Sequence, residues 1–218
     1  MKPWIINWAM NQNNSVEPTG EISITENGTY DVTTYASANV NVAQENNVKM
    51  KNPLLPLLSS TIILRNIEEL PTLDCTNVTD LSYALRNAVN LTKVSFSNTS
   101  NITNLASICE NCSSLTSAPT GLDLSNVQYM ASMYAGCTSL ITIPVYNIPN
   151  VTSMAQSFGN CPNLSDDSLN NIMATCISAV KITSNKTLFM LGLSDTQIQK
   201  CTTLSNFQDF RSAGWNTQ

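Results

Sequence analysis

Apolar residues recur through the middle of the chain in a phrase that returns four times between about Ile67 and Leu164. The copies begin at Asn77, Asn101, Asn126 and Asn150, at steps of 24, 25 and 24 residues. Aligned, they give columns of like residues. The first is Val78, Ile102, Val127 and Val151, and the second is Leu81, Leu105, Met130 and Met154. Leu85, Cys109, Tyr134 and Phe158 follow, then Ala88, Cys112, Cys137 and Cys161, then Leu91, Leu115, Leu140 and Leu164. A fixed period of this size is the mark of stacked supersecondary units.

Within one copy, Val78, Leu81, Leu85 and Ala88 have the spacing of one helix face. Leu91 to Phe96 then places apolar residues on one side of a short extended segment. No copy can bury its apolar face alone, so neighbours must stack. The expected fold is α/β: a leucine-rich-repeat solenoid with a short helix and a short parallel strand per ~24-residue repeat, preceded by a small N-terminal β segment.

The flanks read differently. Residues 1–20 are an arm and linker, in which Trp4, Ile5, Ile6 and Trp8 are costly to leave in water and form a candidate attachment peptide. The segment lacks the longer apolar core and cleavage site of a signal peptide. Residues 21–50 change to period two around Asn27-Gly28, which predicts a β-hairpin plus a third strand. So small a sheet is marginal alone and implies pairing with other copies or a partner. Residues 51–66, apolar but broken by Pro53 and Pro56, are too short for a membrane span and read as an N-terminal cap. The repeats occupy 67–164, and 165–218 is a C-terminal cap, opening on a helix capped by Ser165 and continuing with helices near Asp195 to Cys201 and before Gly214-Trp215.

Two resemblances attach to these residues. The phrase ISITENGTYDVTTYASANVNV resembles a cassette found in tail and other structural proteins of phages and prophages of Gram-positive bacteria. SNVQYMASMYAGCTSLITIP and NVTSMAQSFGNCPNL resemble the BspA-like leucine-rich repeats, over roughly residues 66 to 165. The first copy departs, with Ala88 in place of the Cys and Leu85 in place of the aromatic. Together they imply a phage virion component whose N-terminus meets other virion proteins. That component would be a homo-oligomer such as a trimer, with repeats that bind a host surface protein or glycan. The alternative is a bacterial surface or secreted adhesin.

Composition narrows the chemistry. Only 11% of residues are charged, against a usual ~25%, and Asn, Ser and Thr carry the polarity. A net charge of −5 without a basic run argues against nucleic acid. There is no His, which excludes Ser-His-Asp and Cys-His nucleophiles and His-containing zinc sites. Cys109-x-x-Cys112 has redox or metal spacing, but Cys112 shares its column with Cys137 and Cys161, so free, buried thiols are expected. The sequons at Asn77, Asn101 and Asn150 are better read as part of the repeat, an Asn at each bend bonding backbone. Asp166-Asp167 and Glu68-Glu69 are sequence neighbours whose carboxylates do not converge. No catalytic residue, metal or cofactor is expected, and none of the chain is expected to insert in a membrane. The candidate partner surface is the outward strand face: Glu68, Glu69, Thr92, Lys93, Ser95, Thr116, Ser117, Ile141, Thr142 and, at its edge, Tyr146.

Overall fold

The computed structural model describes four short strands near the N-terminus and residues 68–217 apart from Pro71 and Asn77. The arm, the attachment residues Trp4, Ile5, Ile6 and Trp8, and the expected cap beyond Lys51 lie outside the described residues.

The four strands are β1 (Glu21–Ile24), β2 (Gly28–Asp31), β3 (Asn39–Val42) and β4 (Val48–Lys51). They do not form the expected hairpin. β1 pairs in parallel with β3, Ile22 opposite Val40 and Ile24 opposite Val42, while β2 pairs in parallel with β4, Tyr30 opposite Met50. Gly28 opens β2 instead of closing a two-residue turn.

The repeats pack as expected in one respect and not in another. All five columns are buried, from Val78 through Leu164. A further buried column, Ala84, Ile108, Met133 and Ser157, lies among them. The expected helices, however, are absent: among the described residues before Ser165 the only helical element is a single 3-10 turn at Thr99–Asn101.

What replaces each helix is a run of turns with alternating donors. The N–H groups of Leu81, Tyr83, Leu85 and Asn87 donate to the carbonyls of Asn104, Ala106, Ile108 and Glu110 in the next copy, at 2.8 to 2.9 Å. Those of Ala84, Arg86 and Ala88 turn back on Leu81, Tyr83 and Leu85, each at 3.1 Å. The second copy repeats this from Leu105, Ser107, Cys109 and Asn111 to Tyr129, Ala131, Met133 and Ala135. The third repeats it from Met130, Ser132, Tyr134 and Gly136 to Ser153, Ala155, Ser157 and Gly159.

A left-handed residue at two places per run swings the amides out of helical alignment: Tyr83 and Asn87, Ser107 and Asn111, Ser132 and Gly136, Gln156 and Asn160. Such a conformation costs a non-glycine residue roughly 1–2 kcal/mol, and Asn tolerates it best. The apolar spacing is that of a helix face, but the donors serve the neighbouring copy.

On the other side of each coil the copies meet through β5 (Leu73–Asp74) and β6 (Phe96–Ser97), paired in parallel. Isolated parallel bridges join Glu69 to Lys93, Ser95 to Thr120 and Ser117 to Thr142. Gly121 is needed here: at φ +78 its Cα lies so close to the Phe96 carbonyl that an added Cβ would sit 1.9 Å from the oxygen.

The last copy would leave a bare edge, and α1 (Asp166–Ser178) closes it. Ser165 caps α1 by accepting from the Ser168 N–H. One face of α1 then takes up the edge. Ser168 Oγ accepts from Ile143 N at 2.8 Å, Thr175 Oγ1 from Tyr146 N at 2.9 Å and Ser178 Oγ from Ile148 N at 2.9 Å, while Asn171 Nδ2 donates to the Ile143 carbonyl at 2.9 Å.

The turn side is closed by 187–193, whose Met190 and Leu191 carbonyls accept from Gln156 and Phe158. α2 (Asp195–Cys201) starts on a Ser194/Gln197 capping box, and the Gln197 side chain also donates to the Cys161 carbonyl at 2.8 Å. α3 (Phe207–Ser212) sets Phe210 against the buried Trp215, ring centroids 5.7 Å apart.

Thr175→Val keeps the shape of a fully buried side chain but leaves the Tyr146 N–H without its acceptor. Urea denaturation should show a loss of about 1–3 kcal/mol. An unchanged unfolding free energy would mean that α1 does not seal the edge.

Candidate functional site

The thiols are the residues with the most potential for chemistry in the sequence. All seven cysteines are free and buried. Cys112, Cys137 and Cys161 form a ladder: each Sγ donates to the preceding copy's carbonyl, at Leu85 (3.1 Å), Cys109 (3.0 Å) and Tyr134 (3.0 Å). The acceptors are themselves one column, so each thiol ties its own coil to the one before. Burial pushes Cys161 up to about 12 and Cys201 up to about 11. The adjacent Cys112 thiol and then burial hold Cys109 well above the ordinary thiol range. A reactive cysteine needs the opposite, a stabilised thiolate open to solvent. Among the described residues no group of His, Cys, Asp and Glu is placed to hold a metal ion.

Two of the bend asparagines are likewise engaged, while Asn101 is exposed. Asn126 Nδ2 donates to the Ser100 carbonyl at 2.9 Å and Asn150 Nδ2 to the Ser125 carbonyl at 2.7 Å. Asn77 lies outside the described residues. Farther along the run, Asn111 donates to Asn87 at 2.9 Å, but Gly136 ends that ladder because a Cβ there would lie 2.2 Å from Asn111 Oδ1.

The strand face divides cleanly. Glu68, Glu69, Thr92, Lys93, Thr116, Ser117, Ile141 and Thr142 are exposed, and the bridges set Glu69 beside Lys93 and Ser117 beside Thr142. Ser95 is half-buried and its Oγ shares a 2.8 Å hydrogen bond with Thr72.

Tyr146 does not belong to this face. It is 6% exposed, and its hydroxyl meets that of Tyr134 at 2.7 Å inside the core. Burial raises both phenols above their ordinary range. The prolines at 144 and 149 break strict alternation, so Ile143, Tyr146 and Ile148 turn inward while Pro144 and Val145 face solvent. Val145, 55% exposed, is the face residue that alternation misses, and the spacing of Pro144 and Pro149 is the signal that could have found it.

Around these residues the surface is flat, small-featured and rich in hydroxyls. The Thr92 Oγ1 is tied to the Glu68 carbonyl at 2.9 Å, which holds its methyl and hydroxyl in a fixed place. Such a row can present a rigid template of hydrogen-bonding groups. A family model described as Mycoplasma protein of unknown function, DUF285, matches residues 59–172, just over half of the chain, including all four copies and most of α1. Comparison with curated proteins and with solved structures found no match.

The thiols give a pH test. Their folded values lie above the unfolded value near 9, so the stability they contribute is full below pH ~9 and falls as pH rises toward 11 to 12. Unfolding free energy should therefore decline above pH ~9, and Cys161→Ala, which puts into the column the residue that stands at 88, should reduce that decline. A colorimetric thiol reagent should label no cysteine of the native chain at neutral pH and all seven after denaturation. Rapid native labelling would contradict the buried ladder.

Proposed function

The chain belongs to the DUF285 family, and from that premise and the geometry we propose that it is a non-enzymatic binding module. In this reading the stacked coils are a leucine-rich-repeat solenoid of BspA-like type. Their strand face, from Glu68 and Glu69 through Thr92, Lys93, Thr116 and Ser117 to Ile141 and Thr142, is the partner surface. The observation that carries the proposal is the fixed row of exposed small side chains, backed by inter-copy backbone bonds such as Thr92 N to Glu68 O at 2.8 Å and Ile141 N to Thr116 O at 2.9 Å. Rigid display lowers the entropic cost of binding.

The cassette at Ile22 to Val42 supports placing the module on a phage particle. There the N-terminal residues, Trp4, Ile5, Ile6 and Trp8 among them, would anchor it to other virion proteins and the chain would assemble as a homo-oligomer. The family match, to bacterial proteins, favours the second reading, a surface or secreted adhesin.

Immunogold electron microscopy with an antibody against the repeats separates the two. Gold on purified particles supports the virion reading and gold confined to cell envelopes supports the adhesin; label on neither would reject both. For the face itself, the combined substitution Thr92→Arg, Thr116→Arg and Thr142→Arg should lower attachment to host cells about tenfold, as roughly 1.4 kcal/mol of lost contact implies, with the melting temperature unchanged. Unaltered attachment would remove the strand face from the account.

A further inference from the structure

From Leu124 to Ser165 the chain carries no charged side chain. The exposed side chains of the third and fourth coils in that stretch are therefore all uncharged, mostly Asn, Gln, Ser, Thr and Tyr with apolar Ile141, Pro144 and Val145 on the strand side, where an ordinary sequence is ~25% charged. Near its start Tyr129 is 48% exposed. Parallel bridges set Asn104 on one side of it and Ser153 on the other, at the ladder spacing of about 4.8 Å.

Neither neighbour covers the ring. The Asn104 side chain is turned away, its Nδ2 donating to Asp80 Oδ2 at 3.1 Å and its Oδ1 accepting from Ala106 N at 3.1 Å. Ser153 is too short to reach over a phenol. Tyr83 shows the contrast: the Arg86 guanidinium lies 5.6 Å from its ring centroid. Tyr129 has no such aromatic or cationic partner among the described residues.

Next to the ring, the Gln128 backbone is fixed on both sides, its N–H donating to Thr103 O at 2.8 Å and its carbonyl accepting from Thr152 N at 2.9 Å. The Gln128 side-chain amide is exposed and points to no partner among the described residues.

We infer that the Tyr129 surface binds a neutral carbohydrate chain. The C–H face of a sugar lies on the open phenol ring, and its hydroxyls exchange hydrogen bonds with the Gln128 amide and the Ser153 hydroxyl. An anionic ligand would meet no counter-charge on these two coils. A protein partner's anchor residue, usually Trp, Tyr or Arg, sits in a desolvated pocket, whereas Tyr129 stands 48% exposed between Asn104 and Ser153. An aromatic side chain held by a rigid ladder loses little freedom on binding. The site lies on the turn side of the coil, about half a copy along the chain from Thr116, so it is independent of the strand face proposed above.

Native electrophoresis of the full chain through gels containing a neutral glucan, mannan, galactan or N-acetylglucosamine polymer tests this, with an anionic polysaccharide alongside. At least one neutral polymer should retard the chain, and the retardation should survive high salt. Tyr129→Ala should weaken it about tenfold, the loss of one stacked ring, while Tyr129→Trp keeps it. Gln128→Ala, which leaves the phenol in place, should weaken it severalfold and keeps the test open if the tyrosine variant loses stability. The triple arginine variant of the strand face should migrate as the parent does in these gels. Retardation by no neutral polymer, retardation by the anionic polymer alone, or undiminished retardation of both Tyr129→Ala and Gln128→Ala overturns the inference.

Discussion

The structure depends on donors that a single copy cannot satisfy. In the run from Leu81 to Ala88, four amides reach the next coil, three turn back three residues, and the Ser82 N–H donates to the Asp80 carboxylate. A helix of this length would have turned its later amides inward and left the copies joined here by side chains, with backbone pairing confined to the strand side. Here the same groups that shape one coil bind it to its neighbour, so local conformation and stacking form together. The left-handed residues make this possible, and the short polar side chains at Asn87, Ser107, Asn111, Ser132 and Asn160 lower what that conformation costs.

The side chains that look chemical follow from the same constraint. A thiol in the Cys112 column sits where it can donate to a carbonyl one coil back, and Ser157 does likewise, its Oγ lying 2.7 Å from the Met130 carbonyl. The bend asparagines Asn126 and Asn150 send their amides to the preceding coil. At the end of the stack the requirement does not vanish. The hydroxyls and amide of Ser168, Asn171, Thr175 and Ser178 take over the edge, one helical face matched to one strand.

Much of the core was legible because burial imposes periodicity on the sequence, and Val78, Leu81, Leu85 and Ala88 declare an inward face whatever the backbone does between them. The backbone was not legible, because a run of turns with every third or fourth residue inward carries the same apolar spacing as a helix. The left-handed Asn and Ser positions were the available clue. In the C-terminal region, where helices are capped in the ordinary way, Ser165 and the acidic first turn of α1 located the element correctly. The hairpin reading failed for a different reason: Asn27-Gly28 is a local signal, and the pairing of β1 with β3 was decided by matching residues well beyond that turn. Tyr146, expected at the edge of the strand face, is instead buried, because the chain around Pro144 does not keep strict alternation.

Nuclear magnetic resonance couplings across hydrogen bonds test the alternating ladder most directly. The amide of Leu105 should couple to the carbonyl carbon of Tyr129 and that of Cys109 to Met133, with Ile108 coupled to Leu105 in its own coil. Couplings from Cys109 to Leu105 and from Cys112 to Ile108, the four-residue step of an α-helix, would contradict the account.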